Sequence, residues 1–228
     1  MTAQQVTHVL FDMDGLLLDT ERHYTTAQQQ ICERYGKTFT WDLKSKMLGK
    51  RALDSAHVFI SELQLEGLLT PQEFVDQREA ILNDLFPSSD PLPGVERLVR
   101  HLQKHGIPMC VATSSRRVDY VLKTLRHGPL FSAFAHTITG DDVTRGKPDP
   151  DIFLAAAAAF DPVAAPGKGC LVFEDAPLGV QAARAAGMSC VMVPDGNLDP
   201  ELTREADQVL ASLVDFDPAR WGLPAFDA

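Results

Sequence analysis

Five short apolar runs punctuate the chain at 7–11, 107–112, 136–139, 170–173 and 190–193, each rich in β-branched residues or flanked by turn residues. They are continuous rather than alternating, the pattern of strands buried on both faces of a parallel sheet. Between them, apolar residues recur at helical spacing. Val95, Leu98, Val99 and Leu102 form one face of a helix predicted over 95–105, opened by Pro93-Gly94 and stopped at Gly106. Pro150 opens a second helix over 151–160, and a third over 176–186 ends at Gly187. Strands alternating with helices in this way predict a doubly wound α/β fold built on a parallel sheet.

The stretch from 21 to 86 breaks the alternation. Ala27, Ile31, Cys32 and Tyr35 keep a helical period there, and no convincing strand occurs. Roughly seventy residues are too many for a loop. The segment therefore reads as a helical insert just beyond the first strand, closed by Pro87-Ser88-Ser89-Asp90-Pro91. The expected organisation is a core of residues 1–18 and 90–228 carrying an all-helical cap at 19–89.

Composition narrows the class without naming a function. The 228 residues are 45% hydrophobic and 23% charged, which excludes a disordered, collagen-like or disulfide-rich chain. The net charge of −10 comes with no basic block, so no nucleic-acid polymer is expected as a partner. The apolar run at 152–160 falls short of the ~18–20 residues that span a bilayer. With no membrane partner and no basic-then-apolar leader pattern, a cytoplasmic location and a monomer are the expectations. Cys32, Cys110, Cys170 and Cys190 lack CxxC spacing and are expected to be reduced packing residues.

Four candidate signals follow predicted strands. Asp12-Met13-Asp14-Gly15 closes the first run, and its two carboxylates serve one centre only if the chain turns after Asp12, a freedom Gly15 supplies. Thr113-Ser114-Ser115 follows the second run and precedes a helix beginning near Arg116. Hydroxyls and free backbone N–H groups there hold phosphate oxygens, or simply cap the helix. Lys147 lies in the turn Gly146-Lys147-Pro148-Asp149-Pro150, where an ammonium offsets a carboxylate and a phosphoryl group in contact. Glu174-Asp175 ends the fourth run; adjacent acids near two more repel unless a cation lies between them, and hard oxygen ligands select Mg²⁺. Each signal alone is compatible with a solvated turn or a helix cap. Together they put carboxylates, a lysine, hydroxyls and a cation at the carboxyl end of one sheet, which is what phosphoryl transfer needs.

In these four motifs the chain resembles the haloacid-dehalogenase-like phosphohydrolase superfamily. The resemblance covers nearly the whole sequence and implies a Rossmann-like core with a mobile helical cap after the first strand. It implies Asp12 as nucleophile, forming an aspartyl-phosphate, and Asp14 as general acid and then base. It implies Mg²⁺ held by the Asp12 carboxylate, the Asp14 backbone carbonyl and Asp175, with Glu174 a ligand directly or through water. Thr113 and the Ser114 N–H bind phosphoryl oxygens in this scheme, and Lys147 pairs with both Asp12 and phosphate.

The expected partner is a small phosphorylated substrate, a nucleotide or sugar phosphate. The wider context, from Asp12 through Glu21 and His105-Gly106-Ile107-Pro108 to Val193-Pro194-Asp195-Gly196-Asn197-Leu198, resembles the nucleotide phosphatases of this superfamily, and that resemblance implies pseudouridine 5′-phosphate as the first substrate to expect. Specificity is expected from the cap, with Gly49-Lys50-Arg51 as the turn reaching the leaving group and His23 and Tyr24 as further residues near the site. A sugar-phosphate mutase of the β-phosphoglucomutase type shares the motifs, but its cap histidine falls at Tyr24 here. A broad sugar phosphatase, a dehalogenase and a non-catalytic binding protein also compete with the leading expectation.

Overall fold

The computed structural model describes residues 6–48, 50–164, 167 and 169–227. Six parallel strands form one sheet: β1 (His8–Phe11), β2 (Met109–Ala112), β3 (His136–Ile138), β4 (Cys170–Glu174), β5 (Ser189–Met192) and β6 (Gln208–Val209), in the order β3-β2-β1-β4-β5-β6. The sheet is the expected α/β core with one strand more than the sequence pattern revealed. That strand, β6, has two partly exposed edge residues, so no apolar run marks it.

The continuous apolar runs divide their side chains between two faces. Val9, Phe11, Val111, Leu171, Phe173 and Val191 point into one cluster with Val95, Leu98, Val99 and Leu102 of α5 (Val95–Lys104). Leu10, Cys110, Ala112, Cys170, Val172, Cys190 and Met192 point into the other, against α8 (Asp151–Ala158) and α9 (Pro177–Ala185). Alternate side chains of a strand face opposite ways, so burial on both sides demands an unbroken apolar run. Three of the four cysteines fill the second cluster, and all four are buried.

Four helices lie between β1 and α5: α1 (Glu21–Arg34), α2 (Trp41–Met47), α3 (Ala52–Leu63) and α4 (Pro71–Leu85). They have a core of their own, in which Ile31, Leu43, Phe59 and Phe74 are buried and the Phe59 and Phe74 rings lie 4.2 Å apart. Thr70 starts α4 with a reciprocal capping box to Glu73. The two chain segments joining this helical unit to the sheet run side by side: Leu18 bridges Pro91, and Asp19 N–H donates to the Asp90 carbonyl at 2.9 Å. Helices α6 (Arg117–Thr124) and α7 (Gly128–Phe131) connect β2 to β3. Among the described residues, no helix is long and apolar enough to cross a membrane.

Candidate active site

The strand order reverses between β1 and β4, and the crevice outside the carboxyl ends of such neighbours is where open α/β sheets take ligands. Asp12 leaves β1 there, its N–H donating to the Phe173 carbonyl at 3.0 Å, while Glu174 is the last residue of β4. The chain then turns. Gly15 has φ +73°, and a Cβ on it would collide with the Asp175 carboxylate, so glycine is required both for conformation and for space. Gly179, in the first turn of α9, likewise leaves room for the Glu174 side chain.

Lys147 is the centre of this arrangement. Its Nζ lies 2.5 Å from Asp12 Oδ1 and 2.5 Å from Glu174 Oε1, with both lysine and glutamate side chains almost wholly buried. The other Glu174 oxygen accepts from the Asp175 and Ala176 N–H groups at 3.1 and 3.2 Å. Asp12, Glu174 and Asp175 each present an oxygen within 4.8 Å of the others. Three carboxylates thus face one ammonium, and the Asp175 carboxylate has no hydrogen bond or ion pair among the described residues. Burial pushes the Asp12 carboxyl up to about 7, with Glu174 and Asp14 adding to the rise and Lys147 opposing it. Burial, then the charges of Glu174, Asp12 and Glu21, hold Asp175 well above the usual carboxylate range. The two negative charges left over, on hard oxygen donors, are what a divalent cation of the Mg²⁺ type neutralises, so the donor set fits that ion.

Asp14, two residues on, has different company. Its Oδ1 accepts from Thr20 Oγ1 at 2.6 Å and Lys123 Nζ at 2.6 Å; its Oδ2 accepts from Ser115 Oγ at 2.7 Å and Thr113 Oγ1 at 3.3 Å. Burial alone would raise its pKa, but the Lys123 charge and the donated hydrogen bonds outweigh burial and hold it below the ordinary value. Lys123 has no exposed side-chain surface; it also bonds Ser115 Oγ at 2.7 Å and the Tyr24 hydroxyl at 2.9 Å, and lies 4.3 Å from the Phe86 ring centroid. Sequence reasoning missed Lys123 and Thr20 as site residues, and named Ser115 only as part of the Thr113-Ser114-Ser115 turn. Only Ser115, beside Thr113-Ser114, carried a signal that pointed there.

Above these groups the helical unit encloses a cavity of about 800 Å³ lined by Asp12, Asp14, Ser114, Lys147, Glu174 and Asp175 below. Tyr24, Lys50, Arg51 and Arg78 line it from the helices. Lys50 is exposed in the turn between α2 and α3, and Arg51 donates to the Val143 carbonyl at 3.3 Å, spanning from the helices to the loop before Lys147. Gly49, the third member of that turn, lies outside the described residues. His23 does not line the cavity; it is buried near Ser88, 3.5 Å from its hydroxyl. The structure therefore gathers Asp12, Asp14, Thr113, Ser114, Lys147, Glu174 and Asp175 at one end of the sheet.

A family model described as haloacid dehalogenase-like hydrolase matches residues 6–187. The chain belongs to that family. Among the haloacid dehalogenase-like hydrolases, it is 52% identical over 97% of its length to "(DL)-glycerol-3-phosphatase 1, mitochondrial" of Arabidopsis thaliana, covering 75% of that protein. It is 47% identical over 98% of its length to "Probable pseudouridine-5'-phosphatase" of Drosophila melanogaster, covering 96% of it. CbbY from Rhodobacter sphaeroides, solved in complex with phosphate, shares the fold at 23% identity, with a TM-score of 0.75 over 92% of this chain and 96% of that one. Within the haloacid dehalogenase-like hydrolases this chain is a phosphatase.

Proposed function

We propose that the protein is a Mg²⁺-dependent phosphomonoester hydrolase that works through an aspartyl-phosphate on Asp12. The observation that carries this reading is Lys147 held 2.5 Å from both Asp12 and Glu174, with Asp175 completing a carboxylate cluster that faces the cavity. An Asp12 oxygen attacks phosphorus, the ester P–O bond breaks, and the departing alkoxide takes a proton from Asp14. Water then gives its proton to Asp14 and attacks the same phosphorus, and the bond from phosphorus to Asp12 breaks to release inorganic phosphate. In the arrangement described, Asp14 is held as a carboxylate by four donors, the form needed for the second half of the cycle. To deliver a proton in the first half it must rotate away from Lys123.

Mg²⁺ would be held by the Asp12 carboxylate, the Asp14 carbonyl and Asp175. Both oxygens of Glu174 are already engaged, which supports a contact through water for that residue. When bound, the ion cancels the repulsion between an anionic nucleophile and an anionic ester. Thr113, the Ser114 N–H and Lys147 bind the phosphoryl oxygens, donors already fixed in place before the substrate arrives. Lys50 and Arg51, which line the cavity from the helices, face the leaving group.

The substrate in this reading is a small phosphorylated alcohol, and pseudouridine 5′-phosphate is the first to test. Glycerol 3-phosphate is the second, because a relative about half identical to this chain carries that name. A mutase activity is disfavoured: the residues that line the cavity from the first turn of α1 are Glu21 and Tyr24, and the neighbouring His23 does not reach it. Phosphate release from a panel of esters, with Mg²⁺ and with EDTA, tests the assignment. Release with Mg²⁺ and none with EDTA is expected, and conversion of β-glucose 1-phosphate to glucose 6-phosphate without net release would overturn it.

A further inference from the structure

Arg78 projects from α4 into the cavity and is only 7% exposed. Its Nε is buried with no hydrogen-bond partner, and the guanidinium makes no ion pair with any described residue. It rests instead against aromatic rings, its central carbon 5.8 Å from the Tyr24 centroid and 5.5 Å from that of Phe74. The neighbouring Glu79 is engaged by Arg116 at 3.0 Å. Of the other cations lining the cavity, Lys50 is exposed, while Lys44 pairs with Glu21 at 3.2 Å, Arg51 with the Val143 carbonyl, and Lys147 with Asp12 and Glu174. A guanidinium only donates, and a buried one without an acceptor destabilises the protein until something supplies the acceptor.

We infer that Arg78 reads the leaving group, donating to an oxygen of the alcohol part of the ester while the phosphoryl group lies at Asp12. This rests on the phosphomonoesterase reading and deepens it. The phosphoryl end already has Lys147, Thr113 and the Ser114 N–H, all from the sheet side, whereas Arg78 comes from the helices across the same cavity. The space, about 800 Å³, is within the range that encloses a drug-sized ligand, so one ester can reach both walls. The substrate class is therefore a phosphomonoester whose alcohol carries carbonyl or hydroxyl oxygens. A hydrocarbon leaving group would bury the guanidinium further and leave it unpaired, and a site built to hydrogen-bond rejects such analogues.

The test compares kcat/KM for glycerol 3-phosphate and pseudouridine 5′-phosphate with that for n-propyl phosphate and phenyl phosphate. The wild-type enzyme should prefer the oxygen-bearing esters, and Arg78→Met should shrink that preference roughly 10- to 100-fold, chiefly through KM. Arg78→Lys, which keeps the charge without the planar fork, should recover part of the preference and serves if the methionine variant folds poorly. A wild-type enzyme indifferent to leaving-group oxygens overturns the inference, as does a preference ratio unchanged in both variants; in either case the phosphatase reading stands. Failure of the wild-type enzyme to release phosphate from any of the four esters with Mg²⁺ removes that reading and this one together.

Discussion

Asp12 and Asp14 differ by two positions in the chain, yet their surroundings tune them in opposite directions. Asp12 lies among Glu174 and Asp175 with one lysine to share, and burial lifts its carboxyl to about 7. Asp14 has Lys123 nearly to itself, together with Thr20, Ser115 and Thr113, and is held below the ordinary range. The difference separates two tasks. On the proposed mechanism the Asp12 side, short of positive charge, takes a cation, whereas the Asp14 side is already neutralised by protein and handles the proton. Carboxylates whose environments push their pKa values apart mark a division between nucleophile and acid–base roles.

Removing the proposed nucleophile should have the largest effect. Asp12→Asn is isosteric but not nucleophilic, and turnover should fall by roughly 10⁴-fold or more while circular dichroism stays native; full activity would remove the covalent mechanism. Asp14→Asn should slow hydrolysis of an alkyl phosphate by about 10²–10⁴-fold. The loss should be smaller on p-nitrophenyl phosphate, whose leaving group departs without a proton. Lys123→Met should slow the same alkyl substrate by about 10-fold or more, and adding it to Asp14→Asn should change little, since neighbours acting as a unit are not additive. Additive losses would show that Lys123 does not act through Asp14.

Stability sharpens the contrast. A carboxyl whose folded pKa is raised contributes stability below its unfolded pKa that is lost as pH rises toward the folded value. In EDTA, Asp12→Asn should therefore gain on the wild-type protein between about pH 4 and pH 7, by up to about 4 kcal/mol. Mg²⁺ should erase that gain by favouring the ionised wild-type carboxylate. For Asp14 the sign reverses: its contribution is present above about pH 4 and is lost as pH falls through the depressed folded value. The deficit of Asp14→Asn should accordingly shrink in acid. Thermal unfolding across pH checks both, and parallel curves for the two variants would contradict the opposed tuning. The smallest effect is expected at the turn between α2 and α3. Lys50→Ala should shift preference among alkyl phosphates a few-fold, as exposed charges do, and leave p-nitrophenyl phosphate little affected; equal loss on both places Lys50 outside specificity.

The Asp12 side was legible in the sequence because its carboxylates end a strand or directly follow one, strand ends converge wherever the sheet is parallel, and Lys147 lies in a turn marked by Gly146, Pro148 and Pro150. Helix α6, which carries Lys123, hides its member. Val118, Val121 and Leu125, on and just after this helix, are 55%, 52% and 65% exposed, while Lys123 is turned inward. An amphipathic reading would bury the valines and solvate the lysine, and the reversal arises only because Asp14, Tyr24 and Phe86 close over the ammonium from other parts of the chain. Arg78 is hidden for the same reason, as one charge among many on α4. Pattern along a helix records a preference for water, not which distant carboxylate or ring will meet a charge.

The most direct test of the central claim is rapid acid quench of the Asp14→Asn enzyme during a single turnover of phosphorus-labelled p-nitrophenyl phosphate, whose leaving group needs no proton, followed by peptide mapping. Label should remain on protein, on the peptide containing Asp12, because the second half of the cycle lacks its base. Phosphate released at the wild-type rate with no protein-bound label at any time would contradict the account.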